Sequence, residues 1–227
     1  MLRSAIKSRL IMHFNRRSRL SEGYRTIRTN IKFAEWNHRL HVVAVTSTQA
    51  GEGKSTTASN LATAYAQEGK RVLLVDGDLR KPSLHEIFGV SNRMGLSNLL
   101  ANHCLVKDTV LNTMVDNLSL ITAGQTPPNP AELLSSGRLS ELMEEWKECY
   151  DMILIDTSPV MAVADGLIIS SHCDGAILVI RAGKVKREYI RKSKEKLEQA
   201  RANVIGVVLN NKRIYKSEAR YYNYYGS

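Results

Sequence analysis

Five short apolar segments, each rich in Val, Ile and Leu on both faces, are spaced along the chain with helix-forming stretches between them. The segments are Val42–Thr46, Val72–Asp76, Met152–Asp156, Ala176–Ile180 and Ile205–Leu209, with a weaker sixth at Leu118–Thr122. The clearest helical stretches are Ser55–Glu68, Gly137–Lys147 and Lys186–Ala202. Strands that are apolar on both faces are typical of a parallel sheet covered by helices. The sequence therefore predicts one doubly wound α/β domain with a mostly parallel sheet and helices on both faces.

The first apolar segment leads into a glycine-rich loop that is followed at once by a helical stretch. The loop reads Thr48-Gln49-Ala50-Gly51-Glu52-Gly53-Lys54-Ser55-Thr56, with Thr48 at the place of the first consensus glycine. Strand, loop and helix in this order are typical of a P-loop, whose backbone N–H groups surround a phosphate at the helix N-terminus. Lys54 would neutralise β and γ oxygens, and the Ser55 hydroxyl would bind Mg²⁺. The pattern predicts the fold of a P-loop NTPase.

Carboxylates follow two further predicted strands at the points where those strands end. Asp76 and Asp78 follow one strand, and Asp156 follows another. In open α/β sheets, ligands bind beyond the carboxyl ends of the strands, where all three would lie. Carboxylates commonly hold Mg²⁺ there through its water molecules. Each aspartate taken alone also fits a helix cap or a turn, but together with the loop they predict a magnesium site.

The charge of the chain is concentrated at its two ends. Residues 1–41 carry a net charge of +8, residues 42–180 of −7 and residues 181–227 of +9. Basic ends suit an anionic membrane leaflet, an acidic partner or nucleic acid, and they also suit solvated helices. We expect no nucleic-acid partner, because the sequence shows no helix-turn-helix, zinc or aromatic RNA motif.

The cysteines and the length of the apolar segments indicate the compartment. Three widely spaced cysteines without a C-x-x-C pair favour a reducing, cytoplasmic setting. A membrane span needs about 20 apolar residues, far more than any segment here provides. We therefore expect a cytoplasmic protein.

Three motifs together resemble those of a known family. The Gly51–Thr56 loop, the D-G-D-L-R-K-P segment at 76–82 and the I-D-T-S-P strand end at 155–159 resemble Walker A, Walker A-prime and Walker B of the bacterial tyrosine kinases. These are the kinases of capsular and exopolysaccharide synthesis, in the form whose membrane activator is a separate chain. The E-x-x-R-x-x-R motif at 22–28, the P-P-N-P-A-E-L-L segment at 127–134 and a tyrosine-rich end also match. The resemblance covers residues 21–227.

The resemblance implies ATP and Mg²⁺ as cofactors and assigns roles to several residues. Asp76 is the first choice for the base that accepts the proton of the tyrosine hydroxyl, with Asp78 and Asp156 supporting the Mg²⁺ shell. Arg80 would face the phosphates or a partner subunit. Asn210 would contact adenine, although it fits a simple turn residue equally well.

The ends of the chain are predicted to be distinct from a kinase domain at 21–214. Residues 1–20 form a basic arm in which Leu2, Ile6, Leu10 and Phe14 recur every four residues, as in an amphipathic surface helix or in a partly disordered segment. Residues 215–227 form a tail with five candidate phosphoacceptors: Tyr215, Tyr221, Tyr222, Tyr224 and Tyr225. An aromatic segment that packs on the domain would have a similar composition. The family implies that one subunit phosphorylates the tail of another.

The resemblance also implies partners. Glu22, Arg25 and Arg28 would form the interface of a ring-shaped homo-oligomer, or they would pair with one another on an exposed helix face. The implied partners are an integral membrane activator of the polysaccharide chain-length-regulator type, which recruits the kinase to the membrane's inner face, protein-tyrosine substrates and a cognate tyrosine phosphatase.

Two other functions remain open from the sequence. Partition and division-site ATPases share this fold, but they carry a lysine where this loop has Gln49. A nucleotide-dependent switch without a protein substrate is the third possibility. Transfer of phosphate to protein distinguishes a kinase from both.

Overall fold

The computed structural model describes Ile6, residues 9–34 and residues 39–212, and a seven-stranded sheet lies at its centre. The strands are β1 Val42–Ser47, β2 Val72–Asp76, β3 Leu111–Asn112, β4 Leu118–Ile121, β5 Met152–Asp156, β6 Gly175–Arg181 and β7 Val204–Asn210. Their order across the sheet is β3-β4-β2-β5-β1-β6-β7. Strand β3 pairs antiparallel with β4, and all other pairs are parallel. The mostly parallel α/β sheet is thus confirmed, and each predicted strand agrees with the structure to within one residue at either end.

Helices cover both faces of this sheet. They are α1 Ile11–Phe14, α2 Arg19–Ala34, α3 Lys54–Ala66, α4 Leu84–Phe88, α5 Leu96–Leu100, α6 Val106–Thr109, α7 Pro130–Leu134, α8 Arg138–Cys149, α9 Asp165–His172 and α10 Arg187–Gln199. Helices α2, α3 and α4 contribute to the core on one face, and α5, α7, α8 and α9 to the core on the other. Helix α10 packs on β6 in a third, smaller cluster. The two layers of helices explain why β1, β2 and β5 are buried along their whole length.

Helix α3 is buried almost all round, from Thr57 to Ala66. One side lies on the sheet, and helices α1 and α2 cover much of the other. A helix enclosed in this way needs small side chains rather than an apolar stripe, which its Ala, Ser and Thr residues supply. The start of this helix, and the loop before it, are therefore held by the core.

Residues 9–14 of the predicted basic arm pack on this helix. Leu10 and Met12 are fully buried. The Asn60 side chain accepts a hydrogen bond from the Met12 N–H at 2.9 Å and donates one to the Arg9 carbonyl at 2.7 Å. Phe14 is 42% exposed, and Leu2 lies outside the described residues. The described part of the arm thus belongs to the domain, with Leu10 directed to the protein core and not to a lipid surface.

Elements that the sequence pattern left unassigned are mostly short. Helices α4, α5 and α6 have four or five residues each, and β3 has two. One turn of helix is too short to establish a hydrophobic period. None of the helices in the described ranges combines the length and the apolar character that a membrane span requires.

Candidate functional site

The glycine-rich loop connects the end of β1 at Ser47 to the start of α3 at Lys54. Gly51 and Gly53 adopt positive φ angles of 80° and 92°, which glycine tolerates without strain. A Cβ atom on Gly53 would also meet the Asn210 side-chain nitrogen. The loop therefore has the backbone of a P-loop, and its φ angle makes glycine the favoured residue at position 53.

Glu52 forms hydrogen bonds within the loop and with strands β6 and β7 of the sheet. Its carboxylate is buried and accepts hydrogen bonds from the Gln49 N–H at 2.7 Å and the Arg181 N–H at 3.3 Å. The Asn210 amide donates to the Glu52 carbonyl at 2.9 Å. The Glu52 side chain thus binds protein backbone, and the contact that the structure shows for Asn210 is with the loop.

Lys54 lies in a cluster of carboxylates at the carboxyl ends of β2 and β5. Its Nζ is 2.9 Å from Asp78 Oδ2, 3.5 Å from Asp156 Oδ1 and 3.2 Å from the Ser55 hydroxyl oxygen. Burial disfavours the charged ammonium, but the charges of Asp156 and Asp78 outweigh it and raise the pKa of Lys54. The predicted lysine and carboxylates therefore share one site, and Lys54 is a cation there.

Asp76 lies opposite Asp156 in the register of β2 and β5, and both are fully buried. The Asp76 carboxylate accepts hydrogen bonds from the backbone N–H groups of Ser83 at 3.0 Å and Leu84 at 2.9 Å. Burial and the charge of Asp156 nonetheless raise the pKa of Asp76 to about 8. A carboxyl group whose pKa is raised in this way is suited to exchanging a proton near neutral pH.

The carboxylate oxygens of Asp156 can accept more hydrogen bonds than the structure gives them. Neither of its oxygens accepts a hydrogen bond of regular geometry within the described part of the chain, and burial raises its pKa while Lys54 opposes this. The neighbouring Asp78 accepts a hydrogen bond from the Ser158 hydroxyl at 2.8 Å. A buried anion with so few donors is costly, and a bound cation would offset that cost.

This donor set fits Mg²⁺, whose ligands are oxygens and which retains several waters. Asp156, Asp78 and the Ser55 hydroxyl are the oxygen donors around the cluster. In the ranges that the structure describes, no three His, Cys, Asp or Glu side chains form a complete metal cage. A cation held partly by water and by phosphate oxygens does not need one.

Arg80 is directed towards a buried carboxylate that the sequence analysis did not identify. Its Nε and Nη2 atoms donate to Asp165 at 2.7 Å and 3.2 Å, and Asp165 is fully buried at the start of α9. A contact between Arg80 and a phosphate or a second subunit would compete with this ion pair. Ser158 was also missed, although it stands in the I-D-T-S-P motif; Asp165 carries no sequence signal of its own.

The three residues of the E-x-x-R-x-x-R motif differ in what they contact within the chain. The Arg25 guanidinium pairs with Glu22 at 2.8 Å and donates to the Arg16 carbonyl at 2.6 Å. Arg28 is only 17% exposed and donates to the Ala64 carbonyl of α3 at 2.9 Å. Glu22 and Arg25 thus lie at the surface, whereas Arg28 joins α2 to the helix that follows the P-loop.

The candidate phosphoacceptors Tyr215, Tyr221, Tyr222, Tyr224 and Tyr225 lie outside the described residues. A cleft of about 410 Å³ lies elsewhere, at the end of the sheet where β2 and β4 begin, beside Arg71, Asn117 and Tyr150. It contains none of the predicted site residues. The chemistry is concentrated at the opposite end, where the loop and the three aspartates meet.

Comparisons with known proteins agree with this arrangement. The family model described as "AAA domain" matches residues 40–199. The chain is 45% identical over 207 residues to the tyrosine-protein kinase YwqD of Bacillus subtilis, covering 91% of this chain and 86% of that protein. It is 38% identical to the tyrosine-protein kinase CpsD of Streptococcus agalactiae, covering 89% and 87%.

Solved structures resemble the chain to different degrees. The chimerical protein CapA2B2 superposes with a TM-score of 0.88 at 39% identity, over 91% of each chain. The septum site-determining protein MinD of Pyrococcus horikoshii, solved with Mg-ADP, reaches 0.64 at 25% identity, over 79% of this chain and 76% of that one. Division-site ATPases thus share the fold at lower similarity. The chain belongs to the AAA-domain family of P-loop proteins and, within it, to the bacterial tyrosine-protein kinases.

Proposed function

We propose that this kinase uses ATP and Mg²⁺ to phosphorylate tyrosines of its own C-terminal tail, between subunits of a homo-oligomer, and that it regulates capsule or exopolysaccharide synthesis. The observation that carries the proposal is the site in which Lys54, Asp78 and Asp156 meet at the P-loop. Phosphoryl transfer depends mainly on positioning and charge neutralisation. The loop amides would provide the positioning, and the buried ammonium of Lys54 would provide the charge neutralisation.

The contacts of Lys54 suggest how the site accepts a nucleotide. Three carboxylates surround one ammonium in the free protein, so the site has room for further positive charge. Bound Mg²⁺ would neutralise phosphate oxygens, with Ser55, Asp78 and Asp156 as its protein-side oxygen donors. We expect Lys54 then to exchange Asp78 for the β and γ oxygens of the nucleotide, because its own carboxylate partners would be shared with the metal.

The remaining nucleotide contacts divide between backbone and side chain. The N–H groups of Gly51–Ser55 would surround the phosphates, since the Thr48 and Glu52 side chains are already bonded to other parts of the protein. Gln49, Ala50 and Thr56 complete the loop. Asn210 is the last residue of β7 and lies against Gly53. We propose that it contacts the adenine base.

A base is needed because a tyrosine hydroxyl has a pKa near 10 and is mostly protonated at neutral pH. We assign this role to Asp76, whose raised pKa favours proton acceptance near neutral pH. Arg80 would have to release Asp165 first. It would then stabilise the negative charge of the phosphates, or bind a second subunit.

The oligomer, the activator and the location follow from the family resemblance. The exposed Glu22 and Arg25 would form part of the ring interface. A membrane activator of the polysaccharide chain-length-regulator type would recruit the cytoplasmic kinase to the inner face of the membrane, and a tyrosine phosphatase would reverse the reaction. A positioning ATPase and a nucleotide switch are less well supported, because the named kinases are far more similar to this chain than MinD is.

The test is phosphotyrosine formation by the purified chain with ATP and Mg²⁺, read by anti-phosphotyrosine antibody and by mass spectrometry of residues 213–227. Lys54→Met should abolish labelling with the fold intact. Lys194→Met is a matched control, because Lys194 lies on the surface of α10 in an exposed pair with Glu198. Wild-type labelling by Lys54→Met would refute the site. Phosphate release to water without protein labelling would favour a positioning ATPase.

A further inference from the structure

Thr48 departs from the P-loop consensus, which has glycine at this position, and the structure gives its side chain a partner. Thr48 is fully buried, and its hydroxyl oxygen lies 3.2 Å from the hydroxyl oxygen of Ser193. Ser193 is also fully buried and belongs to helix α10, 145 positions further along the chain. The first residue of the phosphate loop is therefore hydrogen-bonded to a helix that contributes no recognised motif.

The Ser193 hydroxyl donates this hydrogen bond and has a second acceptor within reach. The Ser193 hydroxyl lies 2.8 Å from the Tyr189 carbonyl, which can only accept. A serine hydroxyl has one proton and two acceptor lone pairs. That proton is shared between the Tyr189 carbonyl and the Thr48 hydroxyl oxygen, and both accept from Ser193. Removing the Ser193 hydroxyl would leave the buried Thr48 hydroxyl without this donor.

The composition of helix α10 supports a specific role for this contact. Among its thirteen residues only Ser193 and Leu197 are buried. A buried position that served packing alone would suit an apolar side chain, because a hydroxyl must find a hydrogen-bond partner there. One of the side chains that α10 directs inward, beside Ile190 and Leu197, is thus used to hold the phosphate loop.

The contact acts where the loop begins. The Thr48 carbonyl accepts a hydrogen bond from the Met161 N–H at 3.3 Å, and the next residue, Gln49, is held by Glu52. Thr48 is therefore fixed through its backbone on one side and through Ser193 on the other. The amides that follow it are those that would face the phosphates.

We infer that Ser193 is a positioning residue of the kinase, which acts through Thr48 to hold the phosphate loop in its nucleotide-binding conformation. The inference rests on the proposed nucleotide site, but it concerns the free protein as well. Helix α10 thereby becomes part of the site, and displacement of this helix would weaken nucleotide binding.

The first experiment needs no nucleotide. Hydrogen exchange of amides 48–55 is measured in the free full-length chain, for wild type and for Ser193→Ala. We expect exchange about tenfold faster in the variant, because the buried Thr48 hydroxyl has lost its hydrogen-bond donor. Ser170→Ala is the matched control: Ser170 is buried on α9, and its hydroxyl has no partner among the described residues. Unchanged exchange in Ser193→Ala, or equal acceleration in Ser170→Ala, would overturn the inference.

The second experiment tests the same hydrogen bond by substituting its partner in the loop, Thr48. Thr48→Val removes the hydroxyl at nearly constant volume, whereas Thr48→Ser retains it. The dissociation constant of Mg-ADP, measured by calorimetry without turnover, should rise about tenfold in Thr48→Val and stay near wild type in Thr48→Ser. This pair also decides the matter if Ser193→Ala does not fold. Equal affinity in both variants would contradict the inference.

The two readouts separate this inference from the proposed function. If wild type binds no Mg-ADP but amides 48–55 still lose protection in Ser193→Ala, the nucleotide proposal fails and the link between α10 and the loop stands. If wild type binds Mg-ADP and neither variant changes exchange or affinity, the link fails and the nucleotide site stands.

Discussion

Three side chains at the P-loop site are expected to destabilise the free protein. Asp76, Asp78 and Asp156 are almost completely buried around one lysine. Carboxylates in such a place repel one another, and the interior solvates them poorly. A site that binds a nucleotide with a cation recovers this energy on binding, so stability and function should change in opposite directions here.

Asp156→Asn tests this opposition. The variant removes one buried charge while Lys54 keeps Asp78 as its partner. We expect the melting temperature of the nucleotide-free protein to stay level or to rise by about 2–4 °C, the effect of roughly 1 kcal/mol in a chain of this size. The stabilisation by ADP with Mg²⁺ should disappear. Asp116→Asn, at an exposed position far from the loop, is the control for both measurements. A large loss of stability in the free variant would show that Asp156 is a structural residue.

The raised pKa of Asp76 predicts how stability depends on pH. The folded-state pKa of about 8 exceeds the ordinary value of 3.8, so the folded chain binds more protons between these values. The free energy of unfolding should therefore fall as pH rises from about 4 towards 8 in the presence of EDTA. Asp76→Asn should flatten this decline in urea titrations at several pH values. An equally steep decline in the variant would assign the effect to other groups.

Among the secondary-structure elements, helix α2 carries two arginines of the E-x-x-R-x-x-R motif that face in different directions. Arg28 donates to the Ala64 carbonyl of α3 and is mostly buried, whereas Arg25 pairs with the exposed Glu22. A substitution at Arg28 therefore alters packing within the subunit as well as any interface. Arg25 is the cleaner probe of assembly.

We predict that Arg28→Ala lowers the free energy of unfolding by about 1.5–3 kcal/mol, the value of a hydrogen bond that involves a charged group. Arg25→Ala should change it much less, because exposed pairs contribute little. In light scattering, Arg25→Ala should still reduce the molar mass of the assembly. An oligomer that survives Arg25→Ala unchanged would remove this residue from the interface.

The sheet and the P-loop are predictable from sequence because the pattern that indicates each one lies in consecutive residues. Buried parallel strands are continuous apolar runs, and the loop has a fixed pattern of glycine, lysine and serine. The contacts of Glu52, Arg80 and Thr48 are not predictable in this way. Their partners Arg181, Asp165 and Ser193 lie far away in the chain, and topology alone brings them together.

Across the whole molecule, charge should govern the state of the assembly. Residues 42–180 carry a net charge of −7, and each phosphate on the tail adds about −1.5 to −2. Several phosphates would repel one another and this acidic body, so phosphorylation should loosen the oligomer. Light scattering before and after ATP addition measures this. A molar mass that stays oligomeric after complete phosphorylation would exclude release.

We propose that the P-loop site of one subunit phosphorylates the tail of another. The most direct measurement mixes a Lys54→Met chain with a chain that lacks residues 215–227, adds ATP and Mg²⁺, and detects phosphotyrosine on each. The first chain has no functional site and the second has no tail. We expect label on the Lys54→Met chain in the mixture and none when that chain is incubated alone. An unlabelled mixture, beside a labelled wild type, would mean that transfer occurs within one subunit and would contradict the account.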